Sequence, residues 1–274
     1  MPRVDLTDKP IVITGASSGI GAAAAIACAR AGMPVALFAR REDKLEQVAK
    51  RVRESGSRAL VVAGSVDEPG SSERLLDACE AEFGPCYAAL ANAGYGQEAP
   101  CSSMADADVR AMFETNFFAC LDLARAAAAR FVERQRGHVL LTSSCLSKLG
   151  LPYYGCYSAT KACQDHFGRA MRHELAPAGV AVSTIHPIGT KTEFFDVAHE
   201  KSEGGTTLMD RGKQRFMQPP EAVADKIVRQ LRKGVGGEVW TSRTARLAFA
   251  AADALPRLTD WGIRRAIARR GTDD

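Results

Sequence analysis

The sequence predicts an α/β protein in which a parallel sheet is covered by helices on both faces. Short apolar runs alternate with helix-forming segments along the first 240 residues, and the runs end in polar or glycine-containing loops. Strands that alternate with helices in this way build parallel sheets through right-handed crossovers. The chain has 274 residues, of which 46% are hydrophobic and 25% charged, and these values suit one large domain with a sizeable core.

Composition argues against several classes of protein. The net charge of +4 is too small to indicate nucleic-acid binding. No apolar run is long enough to span a membrane, and no signal-peptide pattern follows Met1, so we expect a cytoplasmic protein. None of the eight cysteines forms a C-x-x-C pair, so we expect reduced, packed thiols and no metal site.

The first predicted strand, residues 10–13, leads into a glycine-rich turn and then an alanine-rich helix. Gly15, Gly19 and Gly21 have the spacing G-x-x-x-G-x-G. Glycines there permit a tight turn and close approach of the backbone to a pyrophosphate at the positive end of the helix. The sequence therefore predicts a dinucleotide-phosphate loop formed by Gly15, Ser17, Ser18, Gly19, Ile20 and Gly21.

The second strand, residues 35–38, ends at Ala39, Arg40 and Arg41. In dinucleotide-binding folds a carboxylate is expected there, because it holds the adenine ribose hydroxyls. Without that carboxylate a 2′-phosphate is not repelled, and a guanidinium pairs well with phosphate. The sequence therefore favours NADP(H), with NAD(H) as the second candidate. The alternative is that both arginines are solvated at the start of a helix over 42–54.

Further apolar runs extend the alternating pattern. Helices are expected over 69–83, 104–134, a segment carrying Tyr157 up to about 176, and 221–233; strands are expected over 59–62, 88–91, 138–142, 180–185 and 238–240. The loops at Gly15, Arg40, Asn92, Ser144 and Pro187 all follow strands. Because ligands bind at the carboxyl ends of parallel strands, we expect these loops to share one edge of the sheet.

Tyr157 and Lys161 are the strongest candidates for chemistry. Their spacing of four places both side chains on one helix face. A lysine ammonium favours the phenolate, so we expect Lys161 to lower the pKa of Tyr157 toward neutral pH. A tyrosine with such a pKa can donate or accept a proton. Ser144, at the end of a buried strand, is suited to hydrogen bonding with a substrate oxygen.

These motifs, in their order and spacing, resemble the short-chain dehydrogenase/reductase family over about residues 8–240. The segments that carry the resemblance are Thr14 to Gly21, Asn92-Ala93-Gly94, Asn116, Ser144, and Tyr157 with Lys161. It implies a doubly wound, Rossmann-type three-layer sandwich with a seven-stranded parallel sheet. It also implies NAD(P)-dependent hydride transfer between an alcohol and a carbonyl.

The resemblance implies a role for each matching residue. Tyr157 would be the general acid/base, Lys161 would bind the nicotinamide ribose, and Ser144 would hold the substrate oxygen. Asn116 would hold a proton-relay water, and Arg40 would bind the 2′-phosphate. Further cofactor contacts are implied at Arg41, Ser65, Val66, Asn92, Ala93, Gly94, Pro187, Ile188, Gly189, Thr190 and Thr192.

Two positions depart from the family pattern. Ser65 stands where many members have an acid beside the adenine, so adenine recognition is expected to differ. Ile188 replaces a glycine, and an isoleucine rarely adopts positive φ, so the backbone beside the nicotinamide is also expected to differ.

Aromatic and leucine side chains suggest an apolar substrate, such as a lipid-like or ring-containing ketone. The expected pocket wall is Tyr95, Leu146, Leu149, Leu151, Tyr153, Tyr154, Phe194 and Phe195, under a substrate lid at about 190–218. Two alternatives are a 3-oxoacyl-thioester reductase of the same family, which would want a basic entrance, and a non-catalytic NADP-binding sensor.

Two expectations concern partners. The alanines at 124 and 126–129 offer a smooth helix surface, and in the family the corresponding helices pair across a two-fold axis, so we expect a homodimer or homotetramer.

After a catalytic domain over 1–240, a basic extension over 241–274 combines arginines with leucines and Trp261 in two helical stretches split by Pro256. This composition is typical of interfacial helices, so the tail is expected on the pocket, a subunit or a membrane surface.

Overall fold

The fold was analysed from a computed structural model, which describes residues 3–194, 198 and 217–268. Seven parallel strands form one sheet in the order β3-β2-β1-β4-β5-β6-β7. The strands are β1 Ile11–Thr14, β2 Val35–Ala39, β3 Ala59–Ala63, β4 Ala88–Ala91, β5 Gly137–Thr142, β6 Val180–His186 and β7 Gly237–Trp240. The predicted seven-stranded parallel sheet is confirmed, and each predicted strand differs from the observed one by at most two residues at either end.

Helices cover both faces of the sheet, as predicted. They are α1 Gly19–Arg30, α2 Glu42–Glu54, α3 Ser71–Phe83, α4 Asp106–Phe113, α5 Ala119–Glu133, α6 Gly155–Leu175, α7 Pro220–Lys233, α8 Arg243–Ala254 and α9 Pro256–Ala268. One buried core joins α1, α2 and α7 to the sheet, and a second joins α3, α5 and α6 to its other face. The result is a three-layer sandwich. No helix in the described part of the chain is both long and apolar enough to cross a membrane.

The long helix predicted over 104–134 is interrupted. A π-helical turn, Glu114–Phe118, lies between α4 and α5. The turn contains Asn116, whose side chain is fully buried. Such π-turns are often found at functional sites, because the extra residue redirects a side chain.

The strand order reverses between β1 and β4, and this switch point opens a crevice at their carboxyl ends. The Thr14 hydroxyl accepts the backbone N–H groups of Asn92, at 3.0 Å, and Ala93, at 3.2 Å. The Asn92 side-chain amide donates to the Thr14 carbonyl at 3.2 Å. These bonds fasten the loop after β4 to the glycine turn after β1.

One expectation about the periphery changes. Ala124, Ala127 and Ala128 are buried against the chain's own sheet, while Ala129 is exposed, so this alanine stretch does not form a free surface for a second copy. Small side chains are needed there because α5 packs close to β4 and β5. Most of the predicted lid, including Phe195, lies outside the described residues.

Candidate active site

A cleft of about 760 Å³ runs along the carboxyl edge of the sheet, from the glycine turn to Tyr157. This volume lies within the range of small-molecule sites. Among the residues predicted from the sequence for cofactor or chemistry, all but Gly21 and Asn116 line the cleft. Sequence reasoning did not identify Gly64, Asp67, Thr115, Thr142, Ser143, Cys145, Glu193 and Phe249, which also line it.

The glycines of the first turn have different tasks. Gly15 and Gly19 have positive φ values of 65° and 55°, which most other residues avoid. Gly21 lies behind the wall of the cleft instead of on it. A Cβ there would stand 2.2 Å from the Gly15 carbonyl oxygen, so Gly21 lets helix α1 pack directly under the turn.

Asn116 also lies behind the wall. Its side chain accepts the Tyr95 N–H at 2.9 Å and donates to the Tyr95 carbonyl at 2.9 Å. Its own backbone carbonyl accepts the side-chain amide of Gln164. The Asn116 side chain, predicted to hold a water, therefore holds the loop after β4 in place. Gln164, which lies one turn after Thr160, connects Asn116 to helix α6.

Lys161 is buried beneath the cleft with defined acceptors. Its ammonium donates to the Thr142 carbonyl at 2.8 Å and to Gln164 Oε1 at 3.0 Å. Burial lowers the pKa of Lys161 to about 8, because the charged form loses hydration. The ammonium lies 5.7 Å from the centre of the Tyr157 ring, on the same face of α6, as the spacing predicted.

The prediction that Lys161 lowers the pKa of Tyr157 is wrong for this structure. Burial raises the pKa of Tyr157, and a hydrogen bond with Ser144 acts in the opposite direction but is outweighed. The Cys145 thiol adds a smaller upward effect. Desolvation disfavours a phenolate more strongly than these neighbours favour it. Tyr157 is therefore protonated at neutral pH and able to donate.

Arg41 lies at the opposite end of the cleft, beside the glycine turn. Its guanidinium donates to the hydroxyls of Ser17 and Ser18, both at 3.1 Å, and to the Glu193 carboxylate at 2.8 Å. Lys44 lies 3.5 Å from the same carboxylate. Glu193 therefore places a negative group beside the loop predicted to bind phosphate. Arg40 is exposed and makes no ion pair among the described residues.

The two positions that depart from the family pattern both line the cleft. Ser65 lines the cleft, and Asp67, two residues later, places a carboxylate there and accepts the Thr115 hydroxyl at 3.1 Å. Ile188 does not have positive φ. Its carbonyl accepts the Thr190 hydroxyl at 2.7 Å, so the loop after β6 is closed by its own hydrogen bond.

The wall beside Tyr157 is apolar, largely as predicted. It contains Tyr95, Leu146, Leu149, Leu151, Tyr154 and Phe194. The Phe194 ring centre lies 5.2 Å from that of Tyr157. Tyr153 does not belong to the wall, because its left-handed backbone, with φ of 66°, accompanies a side chain that is 42% exposed. Phe249 of α8 was not predicted; it lines the cleft from the C-terminal extension.

Comparison with known proteins identifies the family. The family model described as short chain dehydrogenase matches residues 9–203. The chain is 30% identical over 220 residues to the uncharacterized oxidoreductase YbbO of Escherichia coli K12, covering 80% of each chain. It is 27% identical to the ketoacyl reductase HetN of Nostoc, covering 83% of this chain and 76% of that protein. The chain belongs to the short-chain dehydrogenase/reductase family and is a dehydrogenase/reductase enzyme.

Solved structures show the same fold. A short-chain type dehydrogenase/reductase from Mycobacterium marinum superposes with a TM-score of 0.77 at 27% identity, covering 86% of this chain and 94% of that one. An alcohol dehydrogenase from Thermococcus sibiricus, complexed with 5-hydroxy-NADP, has a TM-score of 0.73 at 29% identity, covering 85% and 95%. A Burkholderia phymatum structure in complex with NAD, at 22% identity and a TM-score of 0.82, shows the fold alone.

Proposed function

We propose that the protein is an NADP(H)-dependent oxidoreductase that transfers hydride between the nicotinamide and an apolar alcohol/ketone pair. The observation that carries this proposal is the arrangement of one continuous cleft. The glycine turn with Ser17 and Ser18, contacted by Arg41, lies at one end, and Tyr157 with Ser144 lies in apolar surroundings at the other.

The residues of the cleft fit a dinucleotide. The glycine turn stands at the start of α1, where backbone N–H groups favour phosphate, and the Glu193 carboxylate beside Arg41 supports an anion at this position. Gly15, Gly19, Asn92 and Ala93 would hold the pyrophosphate half, and Lys161, Ile188 and Thr190 the nicotinamide half. When bound, the cofactor supplies or accepts the hydride.

Two hydroxyls of this chain act on the substrate oxygen. Ser144 and Tyr157, which both line the cleft, donate to the carbonyl oxygen and stabilise the negative charge that develops there during reduction. The proton moves from the Tyr157 hydroxyl to that oxygen, giving the alcohol. In oxidation the same proton moves back. Lys161 serves the ribose hydroxyls, and Asn116 positions the loop at Tyr95.

Replacing Tyr157 by Phe tests this assignment. The ring remains for packing while the proton is lost, so kcat for ketone reduction should fall by about a hundredfold or more with NADPH binding retained. Steady-state kinetics across a panel of apolar ketones, with the NADPH dissociation constant measured by titration, gives both values. Turnover within about tenfold of the parent in a folded variant would remove Tyr157 from the mechanism.

The arginines after β2 support a preference for NADP(H). Arg40 is free to reach a 2′-phosphate, and Arg41 already holds an anion. The Thermococcus sibiricus relative, 29% identical, is complexed with 5-hydroxy-NADP. We propose that Arg40 and Arg41 together bind the 2′-phosphate and that Glu193 competes with it for Arg41.

The Glu193→Gln substitution tests whether Glu193 competes with the 2′-phosphate for Arg41. Removing the competing carboxylate should tighten NADPH binding by about two- to fivefold, the range expected for one exposed ion pair. NADH, which lacks the 2′-phosphate, should bind unchanged. Calorimetric titration with both cofactors measures the difference. Equal gains for NADPH and NADH would place Glu193 against a group common to both cofactors.

The substrate end of the cleft supports an apolar substrate. Phe249 and Leu247 lie two residues apart on α8, but Phe249 lines the cleft whereas Leu247 is 71% exposed. Phe249→Ala should therefore lower kcat/KM for a bulky ketone by about tenfold, since each pocket contact contributes about 1–3 kcal/mol. Leu247→Ala is the matched control and should leave it unchanged. Equal effects of both substitutions would show that they lower activity by destabilising α8 and not by removing a contact with the substrate.

Two other functions have less support. A 3-oxoacyl-thioester reductase is suggested by the name of the HetN relative, but the described wall beside Tyr157 is apolar. A non-catalytic NADP sensor would not need Tyr157, Ser144 and Lys161 together. NADPH consumption that depends on an added carbonyl distinguishes an enzyme from a sensor, and comparison of simple ketones with acyl thioesters distinguishes the two reactions.

We also propose a homodimer that buries an exposed aromatic group. Phe118 is 47% exposed, and its ring lies 5.3 Å from that of Phe117, which in turn lies 6.2 Å from Phe167 of α6. In the family the long helices here pair across a two-fold axis. Light scattering should show at least a dimer for the parent and a monomer for Phe118→Asp. A monomeric parent at micromolar concentration would contradict the proposal.

The C-terminal extension carries a face suited to an anionic lipid surface. Leu258 and Trp261 are 62% and 59% exposed, and the Arg265 guanidinium lies 5.5 Å from the Trp261 ring. The exposed arginines of α8 and α9 make no ion pair among the described residues, and each cation at an anionic membrane contributes about 1 kcal/mol. We propose peripheral membrane contact that brings apolar substrate toward Phe249.

Vesicle binding tests this contact. The parent should bind phosphatidylserine-containing vesicles at low salt, and the double substitution L258E/W261E should abolish binding. Val235→Glu, which changes an exposed apolar residue outside the extension, is the control and should bind as the parent does. A parent that does not bind at all leaves the extension as a pocket wall only.

A further inference from the structure

A cluster of charged side chains is buried behind the cleft, beneath Ser144. Asp165, His186 and Glu238 have potential metal-ligand atoms within 4.8 Å of one another. Lys148, however, places its ammonium 2.5 Å from Asp165 Oδ2 and 3.4 Å from Glu238 Oε1. This lysine already supplies the cation that the carboxylates require, so we read the cluster as an ion-pair group and not as a metal site.

The cluster reaches Ser144 through the imidazole of His186. Its Nδ1 lies 3.1 Å from the Ser144 carbonyl oxygen and 3.3 Å from the Ser147 hydroxyl. Because a carbonyl oxygen only accepts, the contact with Ser144 is a hydrogen bond in the tautomer that carries its hydrogen on Nδ1. On the other side of the ring, Nε2 lies 3.3 Å from Asp165 Oδ1 and 3.1 Å from the Thr184 hydroxyl. The ring also stacks on Trp240, with centres 4.7 Å apart.

Helix α6 connects this cluster to Tyr157. Asp165 follows Lys161 by four residues, as Lys161 follows Tyr157, so all three share one helix face. Lys148 is the last residue of the 3-10 turn Cys145–Lys148. The Ser144 hydroxyl caps the start of this turn by accepting the Leu146 N–H at 3.1 Å. The Ser144 turn is thus fastened to the Tyr157 helix by the Lys148–Asp165 pair at its end and by His186 at its start.

We infer that Lys148, Asp165 and His186 are positioning residues that hold the Ser144 hydroxyl against Tyr157. This inference rests on the proposed function for the role of the two hydroxyls. Among the described residues, the titratable groups that face Tyr157 are Cys145, Lys161 and Tyr154, and none of these three lies in the cluster. The cluster therefore acts on Tyr157 through Ser144 and not through direct charge.

The consequence is a defined pH effect. The hydrogen bond from Ser144 is the contact that lowers the pKa of Tyr157 against its burial. When Ser144 is displaced, the pKa of Tyr157 rises further. Alcohol oxidation needs the phenolate, so its rate increases as pH passes the pKa of Tyr157, and its midpoint should move to higher pH. At a fixed pH below the midpoint, a rise of one unit in the pKa of Tyr157 lowers the oxidation rate about tenfold.

His186→Phe tests the inference, because it keeps a ring against Trp240 while removing both nitrogens. We expect kcat for alcohol oxidation to fall about tenfold, its pH midpoint to rise, and the NADP⁺ dissociation constant to stay unchanged. His186→Asn restores a donor near the position of Nδ1 and should recover much of the rate. His138 is the matched control: it is also buried and contacts a β6 hydroxyl, Ser183, at 2.9 Å, but at the far end of β5.

The control and a second variant separate positioning from folding. His138→Phe should leave the pH midpoint unchanged, whatever it does to stability. Lys148→Met, at the partly exposed end of the cluster, should shift the midpoint upward in the same direction as His186→Phe. An unchanged midpoint in both His186→Phe and Lys148→Met would overturn the inference, as would an equal shift in His138→Phe.

A structural measurement keeps this test independent of the proposed function. If the parent oxidises and reduces no substrate, the proposed function fails, but the positioning role can still be examined by crystallography of Lys148→Met and His186→Phe. Displacement of the Ser144 hydroxyl from the Tyr157 hydroxyl supports the inference. A Ser144 hydroxyl that stays in hydrogen-bond contact with Tyr157 in both variants overturns it.

Discussion

The buried ammonium of Lys161 is the constraint on which the site depends. A charge removed from water must be surrounded by acceptors, or it destabilises the fold strongly. Lys161 meets this requirement with the Thr142 carbonyl and Gln164. Gln164 continues to the Asn116 carbonyl, and Asn116 clamps Tyr95. One cation therefore fixes the end of β5, helix α6, the π-helical turn and the loop after β4 relative to one another.

The chemistry of Tyr157 follows from what surrounds its hydroxyl. Phe194 and Tyr154 pack near its ring, and burial keeps the phenol protonated. Ser144 provides the opposing hydrogen bond, and its own position depends on charges that lie behind the sheet edge. Apolar surroundings in front therefore act on the proton affinity of Tyr157 directly, and the ion-pair cluster behind acts on it through the position of Ser144.

The two ends of the cleft differ in rigidity for a physical reason. At the proposed phosphate end, Arg41 and Glu193 are both substantially exposed, and exposed ion pairs contribute little because water competes for both charges. At the chemical end, Asp165 and His186 are fully buried, so their contacts are costly to break. A cofactor phosphate can exchange with a carboxylate at the first end, while the reacting groups at the second stay in place.

Local sequence patterns were enough to predict the sheet, its helices and most of the cleft. Alternating apolar runs, the glycine spacing and the four-residue step from Tyr157 to Lys161 are local patterns, and local patterns fix which residues face the core or share a helix face. Contacts between residues far apart in the chain depend on the tertiary structure. It brings His186 to Ser144, Glu193 to Arg41 and Phe249 to the cleft, pairs separated by too much chain for any periodicity to relate. It also decided the sign of the shift in the pKa of Tyr157, because desolvation depends on everything packed around the hydroxyl and not on one neighbouring lysine.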